Sequence, residues 1–267
     1  MKKFILLLVT IFFCNCFVFS QQPSMVKDIY PGTSASLTGI YFNAIEYNSY
    51  LFFSSTDGTN GYEPWISDGT STGTNMVLDI NPGSGASMNN INTAFFKFNS
   101  FVFFLADNGT QGRELWKSDG TAAGTTLVLD IWPGGGSSDA NSFYDNGNGN
   151  FFFVANDGTS GEELWISDGT NVGTQLVKDI NPGTNSSAIT FLQYINGIIY
   201  FKALDGITGH ELWRSDGTTA GTYLVKDIKT GSGNGMANFP SCQLNGNLFF
   251  MADDGINGYE IWKSDGT

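Results

Sequence analysis

Carboxylates recur along this chain at fixed distances from a tryptophan. A glutamate stands two residues before the Trp and an aspartate three residues after it, as in Glu-Leu-Trp-Arg-Ser-Asp-Gly-Thr at 211–218. The glutamates are Glu63, Glu114, Glu163, Glu211 and Glu260, and the aspartates are Asp68, Asp119, Asp168, Asp216 and Asp265. Paired carboxylates serve glycosidases as acid and nucleophile, and carboxylate oxygens also bind calcium. Asp-Gly is equally a turn signal, so catalytic, metal-binding and structural interpretations compete.

The aspartates favour turns over metal binding. Each begins an Asp-Gly-Thr sequence, where the Asp side chain accepts hydrogen bonds from backbone N–H groups two residues later. A second turn set has equivalent first residues in the five units: Asp57, Asn108, Asp157, Asp205 and Asp254. Asn108 replaces an acid there, and the loops lack the alternating acids of calcium-binding repeats. We expect no metal ion or other cofactor, with calcium as the alternative.

The repeated glutamate has two interpretations that the sequence leaves open. One is cross-strand pairing with a lysine, and the other is a hydrogen bond to a neighbouring loop. Lys27, Lys178 and Lys226 are candidate partners, but Leu78 and Leu129 take that place in two units.

The elements that carry these residues repeat with a period near fifty. The repeated tryptophans are Trp65, Trp116, Trp165, Trp213 and Trp262, at spacings of 51, 49, 48 and 49. Each unit contains four short apolar runs separated by Gly-rich turns, which is typical of a β-propeller blade. In the fourth unit the predicted strands are 188–195, 198–204, 210–215 and 223–228. We expect the tryptophans to pack between neighbouring blades.

The two ends predict a closed ring. Residues 25–29 match a fourth strand with nothing before it, and 260–267 match a third strand with nothing after it. We therefore expect an all-β, five-bladed propeller of four-stranded antiparallel blades, closed by the N-terminal strand joining the last blade. The blades are expected at about 36–80, 87–131, 138–180, 187–228, and 235–267 plus 25–29. A fragment of a longer repeat array is the alternative.

The string "ELW-S-DGT--GT-LVKDI-PG" resembles the ELWxxDGT repeat family of secreted bacterial proteins over residues 25–267. Leu212-Trp213 and Asp216-Gly217-Thr218 stand at the family spacing, whereas Pro64 and Ile261 replace the Leu in units one and five. The resemblance implies an extracellular or cell-surface protein of a Bacteroidetes-like bacterium. It brings no activity that could be assigned to particular residues.

The sequence contains few side chains that could act in catalysis. The predicted innermost strands carry only Glu46 and Asp145, near their turn ends, which is little for a glycosidase. His210 is the single histidine, and no Gly-x-Ser-x-Gly elbow is present. One His and one Cys beyond the leader give no support for zinc, and no phosphate-binding loop precedes a helix. We therefore expect no catalytic residue.

Binding residues are expected where the units differ. One variable position precedes the Glu, and another precedes the Pro-Gly link between units. The weak ligand-binding candidates from these two positions are Tyr62, Arg113, His210, Tyr259, Tyr30 and Trp132. Tyr30 and Trp132 could stack on a sugar ring, and the alternative is that they cover the blade edge.

Residues 1–20 are predicted to form a signal peptide, because Lys2 and Lys3 precede an apolar run that ends at Ser20. A lipid anchor at Cys14 or Cys16 is the lesser alternative. Removal of this segment leaves 10 basic and 25 acidic residues, a formal net charge of −15. Such a chain disfavours nucleic acid and anionic membranes. Cys242 alone remains, so no intrachain disulfide is expected.

These observations predict a secreted or cell-surface, monomeric and non-enzymatic binding module for a glycan or an extracellular protein. It is not expected to insert into a membrane. A glycan-degrading enzyme and a passive spacer within a longer surface protein are the alternatives.

Overall fold

The computed structural model describes residues 22–37, 43–88, 94–237 and 240–267. The predicted signal peptide at 1–20 lies outside these ranges. The described chain is all-β and forms five antiparallel sheets in chain order, four with four strands and one with three. Strand order within each sheet follows the sequence, so every sheet is a meander. This confirms the prediction of an all-β repeat fold and is consistent with a five-bladed propeller.

The strands have the following bounds. The first sheet contains β1 (Ala44–Tyr47), β2 (Tyr50–Ser55), β3 (Glu63–Ser67) and β4 (Asn75–Met76). The second contains β5 (Phe96–Phe98), β6 (Phe101–Asp107), β7 (Arg113–Ser118) and β8 (Thr126–Leu129). The third contains β9 (Asn141–Asp145), β10 (Phe151–Asn156), β11 (Glu162–Ser167) and β12 (Gln175–Lys178). The fourth contains β13 (Thr190–Ile195), β14 (Ile198–Leu204), β15 (His210–Ser215) and β16 (Tyr223–Lys226). The fifth contains β17 (Cys242–Leu244), β18 (Asn247–Asp253) and β19 (Tyr259–Ser264).

The local sequence explains the hairpins. Asn196 and Gly197 connect β13 to β14 with φ angles of 51° and 87°, as a type I′ turn requires. The third strand pairs with the fourth through a one-residue irregularity, since Leu212 lies opposite Lys226 and Trp213 opposite Leu224. The same irregularity recurs in the second and third sheets. Such bulges raise the local twist of a strand pair.

Apolar cores lie between consecutive sheets. Phe152 and Leu164 of the third sheet, for example, pack with Phe201 and Trp213 of the fourth. Similar clusters join the first sheet to the second, the second to the third and the fourth to the fifth. Within the described residues, no such cluster joins the fifth sheet to the first.

The N-terminal segment differs from the predicted closing strand. Residues 22–37 contain no strand, and the fifth sheet has three strands where four were expected. The segment lies against the first sheet instead, where Lys27 Nζ donates to the Thr74 carbonyl at 2.6 Å. Lys178 makes the same contact with Thr222 of the following sheet at 2.7 Å. The Val-Lys-Asp-Ile sequence therefore specifies a contact with the next sheet. This contact forms whether or not the ring is closed.

The antiparallel order divides the loops between two faces. One face, termed the link face, carries the loops between second and third strands together with the links between sheets, which span 79–87, 130–138, 179–187 and 227–235. The opposite face, termed the hairpin face, carries the turns between first and second strands and the Asp-Gly-Thr turns.

Candidate functional site

The repeated glutamate is a buried anchor for the link that follows its sheet. Glu114 is fully buried, and its Oε2 accepts a hydrogen bond from the Ile131 N–H at 3.0 Å. Its Oε1 accepts from the Ser138 N–H at 3.1 Å. The carboxylate therefore holds both ends of the link that carries the chain to the third sheet. This supports the loop interpretation rather than pairing with a lysine.

Glutamates of three further sheets also accept hydrogen bonds from the links that follow them, and Glu63 and Glu211 again hold both ends of the link. Glu63 accepts from the backbone of Ile80 and Ser87, and Glu163 accepts from that of Ile180 and Asn181. Glu211 accepts from Ile228, Lys229 and Gly235. Glu260 is exposed, and no link lies over it in the described part of the chain.

Burial raises the pKa of these carboxyls, while hydrogen bonds from the link oppose the shift. The pKa of Glu63, Glu114 and Glu163 is raised to about 7, and that of Glu211 is raised as well. Raised carboxyl pKa values are a common mark of acid–base catalysts. Here, however, both oxygens of each carboxylate already accept backbone N–H groups below the surface, which leaves no room for a substrate.

The repeated aspartates build the Asp-Gly-Thr turns of the hairpin face. Asp119 Oδ1 accepts from the Thr121 N–H at 2.9 Å and from its hydroxyl at 2.7 Å. Beneath the turn, the hydroxyls of Ser118 and Thr125 form a hydrogen bond with an oxygen–oxygen distance of 2.7 Å. A Cβ added to Gly124 would lie 2.0 Å from Asp119 Oδ1, so a side chain there would displace the Asp119 carboxylate. The contact recurs for Gly73, Gly173 and Gly221.

The repeated tryptophans lie at the interfaces between sheets. Trp65, Trp165 and Trp213 are buried, with 5–6% of their surface exposed, and Trp116 and Trp262 are half-buried. Trp165 Nε1 donates to the Ala155 carbonyl at 3.1 Å. The indoles are therefore separated by whole sheets and do not converge on a common ligand position.

The link-position candidates Tyr30 and Trp132 lie over glycine turns. A Cβ added to Gly58 would lie 2.3 Å from the Tyr30 ring, and one added to Gly158 would lie 2.3 Å from Trp132 Nε1. Asn81, Asn181 and Lys229 occupy the equivalent place over Gly109, Gly206 and Gly255. Tyr30 and Trp132 are half-buried, so each covers the next turn and keeps part of its ring open to solvent.

The second set of candidates lies at the start of the third strand of each sheet, also on the link face. In three of the five sheets the backbone at this position is held in the same way: the N–H groups of Arg113, Glu162 and His210 donate to the side chains of Ser137, Ser186 and Asn234 at 3.0–3.1 Å. Their side chains differ completely, because this position holds Tyr62, Arg113, Glu162, His210 and Tyr259. The structure therefore places both variable sets on one face.

Residues that sequence reasoning missed complete this face. Arg113 Nη1 lies 3.1 Å from Asp139 Oδ1, and Asn141 Nδ2 approaches Glu162 Oε1 at 3.5 Å. Asp139 has a φ of 45° and stands in a Gly- and Ser-rich link, where the sequence signals a loop but not a contact with Arg113. Burial, with a further effect of the Lys202 charge, lowers the pKa of His210, which favours the neutral imidazole.

The two carboxylates of the glycosidase alternative lie on the hairpin face. Glu46 Oε2 lies 3.8 Å from Lys97 Nζ, and Glu46 Oε1 accepts from the Ser49 N–H at 3.1 Å. Asp145 accepts from the Gly147 N–H at 2.7 Å. Asp145 is thus engaged at its own hairpin, and Glu46 contacts both its own hairpin and β5 of the second sheet.

The described ranges contain no group of three His, Cys, Asp or Glu side chains placed to hold a metal ion. Nor do they contain a helix whose length and apolar character would let it cross a membrane.

No protein-family model and no curated protein matches the sequence. Among solved structures, the chain is similar to TolB from Acinetobacter baumannii at 14% identity and a TM-score of 0.41, over 82% of this chain and 50% of TolB. It is similar to puromycin hydrolase at 13% identity and a TM-score of 0.47, over 87% of this chain and 37% of that protein. It is also similar to the GH43 endo-arabinanase from Bacillus licheniformis at 13% identity and a TM-score of 0.32, over 86% of this chain and 95% of that enzyme.

The chain spans half or less of the length of TolB and of puromycin hydrolase. These are similarities to β-propeller proteins at the level of sheet architecture, and they carry no statement about activity.

Proposed function

We propose that this protein is a secreted or cell-surface binding module that recognises a glycan or an extracellular protein through its link face. The observation that carries the proposal is the arrangement at the start of the third strands. There equivalent places in the five sheets present Tyr, Arg, Glu, His and Tyr, and in three of the sheets a link side chain holds the backbone N–H of this residue. Rigid scaffolds that present variable side chains at loop ends are typical of recognition surfaces.

The chemistry of this face suits a polar ligand with planar or ring surfaces. Tyr259 exposes 47% of its surface, and the rings of Tyr30 and Trp132 are partly open on the same face. Arg113 supplies a guanidinium whose partner, Asp139, is itself exposed. Aromatic rings beside a charged hydrogen-bonding fork can stack on a sugar or hold an aromatic or acidic protein side chain.

The remaining repeated residues are occupied by structural contacts, which supports a non-enzymatic role. The glutamates hold links and the aspartates hold turns. The extracellular location rests on the predicted leader and on the resemblance to the ELWxxDGT repeat family. The formal charge of −15 without that leader disfavours nucleic acid as the ligand.

A glycan array and a panel of extracellular proteins test the proposal with two matched double variants. Arg113→Ala with Tyr259→Ala removes one cation and one exposed tyrosine from the link face. Lys97→Ala with Tyr50→Ala likewise removes one cation and one exposed tyrosine, but from the hairpin face. We expect the first variant to lose the ligand and the second to retain it. Equal loss in both variants, or no ligand in either panel, would favour the spacer alternative.

A further inference from the structure

Lys117 shows how the hairpin face holds an ammonium group between two sheets. It lies on β7, and its Nζ donates to the Gly169 carbonyl, in the Asp-Gly-Thr turn of the next sheet, at 2.8 Å. The same Nζ lies 4.7 Å from the centre of the Phe101 ring. Arg214 of the fourth sheet likewise donates through Nη1 to the Gly266 carbonyl at 2.9 Å. A ring face and a turn carbonyl therefore form an ammonium site at the interface after the second sheet.

The first sheet has the ring and the turn of this site but an apolar residue in place of the lysine. Tyr50 begins β2 as Phe101 begins β6. Ile66 takes the place of Lys117, since each precedes the serine that ends the third strand. A Cβ added to Gly120, in the next Asp-Gly-Thr turn, would lie 2.9 Å from Ile66 Cδ1, so the isoleucine reaches this turn. Its side chain supplies no donor for the Gly120 carbonyl.

A groove of about 380 Å³ opens at this position between the first and second sheets. Its lining includes Tyr50, Ile66, Gly120 and two aspartates, Asp68 and Asp119. Tyr50 exposes 41% of its surface, and both aspartates are exposed. Each aspartate accepts the turn N–H groups through Oδ1 and keeps its negative charge. An ammonium group in the groove therefore meets a ring face, a carbonyl oxygen and two carboxylates.

The third sheet shows that loss of the lysine does not by itself leave such a site. Ile166 stands at the position of Lys117, and a Cβ added to Gly217 would lie 2.9 Å from Ile166 Cδ1. The ring is absent there, because Asn150 stands at the position of Tyr50: the residue after each pairs with the serine that ends the third strand. Among the described residues of the first three sheets, only the first sheet combines the ring with an isoleucine in place of the lysine.

We propose that this groove binds a lysine side chain of a partner polypeptide, whose ammonium group donates to the Gly120 carbonyl and lies over the Tyr50 ring as Lys117 does in the second sheet. Ile66 offers an apolar surface to the alkyl stem of a lysine, whereas an amino sugar carries hydroxyl groups around its amine. The 25 acidic and 12 basic residues of the chain favour a basic partner. The groove lies on the hairpin face, so this inference does not depend on ligand binding at the link face.

An NMR titration with Nα-acetyl-lysine methylamide tests the site. We expect saturable shifts of the Gly120 and Thr121 amide resonances, and none with the norleucine analogue, which lacks the ammonium group. Ile66→Lys supplies the cation from within the chain and should abolish the shifts while the protein stays folded. Tyr50→Leu removes the ring and should weaken the affinity about two- to fivefold. Absence of saturable shifts in the unmodified protein, or unchanged affinity in these two variants, overturns the proposal.

Lys117→Ile is the matched converse of Ile66→Lys. It should open an equivalent groove beside Phe101 and raise the number of bound probe molecules from one to two. An unchanged stoichiometry would contradict the equivalence of the two sites on which the proposal rests. Glucosamine separates the two kinds of amine, because tighter binding of glucosamine than of the lysine probe would overturn the assignment to a polypeptide. Both substitutions leave Arg113 and Tyr259 intact, so binding at the link face is measured separately.

Discussion

The Glu114 carboxylate accepts a hydrogen bond from the backbone N–H of Ser138, 24 residues further along the chain, at 3.1 Å. The residue that precedes Leu-Trp in one sheet therefore fixes the point where the chain enters the next sheet. Since Glu63 and Glu211 make equivalent contacts with Ser87 and Gly235, this bond sets a common step from sheet to sheet. The repeated glutamate therefore positions each sheet relative to the next.

Replacement of Glu114 by Gln should destabilise the protein. The amide nitrogen cannot accept the N–H group that one carboxylate oxygen now accepts, which leaves a buried donor without a partner. We expect a loss of about 1–3 kcal/mol in the free energy of unfolding, measured by urea titration.

Glu260→Gln is the matched control for this substitution. The side chain is exposed and holds no link in the part of the chain that the structure describes, so its replacement should change the free energy of unfolding by less than about 0.5 kcal/mol. Equal losses in the two variants would contradict the anchoring role of the buried glutamate.

Stability should fall as the pH rises from about 4.5 to about 7. Burial raises the pKa of Glu63, Glu114 and Glu163 from 4.5 to about 7, so the folded protein binds more protons than the unfolded chain in this window. The free energy of unfolding therefore decreases with increasing pH there.

The turn aspartates have the opposite effect below this window. Hydrogen bonds from Thr70 and Thr218 lower the pKa of Asp68 and Asp216 from 3.8, so their contribution is present above that value and is lost on further acidification. Calorimetric melting temperatures should accordingly peak in mildly acidic solution. Glu114→Gln should reduce the slope between pH 4.5 and 7. A melting temperature that rises across this window would refute the linkage.

Gly124→Ala should destabilise the protein through a steric clash in an Asp-Gly-Thr turn. The new Cβ would lie 2.0 Å from Asp119 Oδ1, so the carboxylate must move and lose its hydrogen bonds with Thr121. We expect a loss of about 1–3 kcal/mol. Gly135→Ala is the control, because a Cβ there meets nothing within 4 Å. Chemical denaturation of both variants makes the comparison, and similar midpoints would contradict this account of the glycine.

The strands were predictable because turn signals bracket them. Asn196-Gly197 and Asp205-Gly206 enclose residues 198–204, which form β14 with the predicted bounds, and β15 agrees equally well at 210–215. The fourth strand is shorter than predicted and ends at Lys226, because the following Asp and Ile already belong to the link. The bounds of these strands could therefore be predicted from the residues next to them in the sequence.

Two features could not be predicted because they depend on backbone groups far away in the sequence. The partners of Glu114 are the backbone N–H groups of Ile131 and Ser138. Because almost every residue has a backbone N–H group, the amino-acid sequence does not reveal which ones the carboxylate will bind. Ring closure depends on the sum of the angles between successive sheets. Residues 25–29 have the sequence of a fourth strand. That sequence specifies the contact of Lys27 with the next sheet, but it does not determine where β19 lies.

The two tryptophans Trp165 and Trp132 should respond differently to truncation, because one lies in a core and the other covers a surface turn. Trp165 is 6% exposed, packs with Leu115 and Phe153, and donates to the Ala155 carbonyl. Trp165→Ala should therefore lower the free energy of unfolding by about 3–5 kcal/mol. Trp132→Ala should cost less, about 1–2 kcal/mol, since its ring is half-buried and lies over the glycines Gly136 and Gly158. Equilibrium denaturation gives both values. If the Trp132 ring also stacks on the ligand, its removal should weaken binding in the folded variant, whereas unchanged affinity would limit Trp132 to covering the turn.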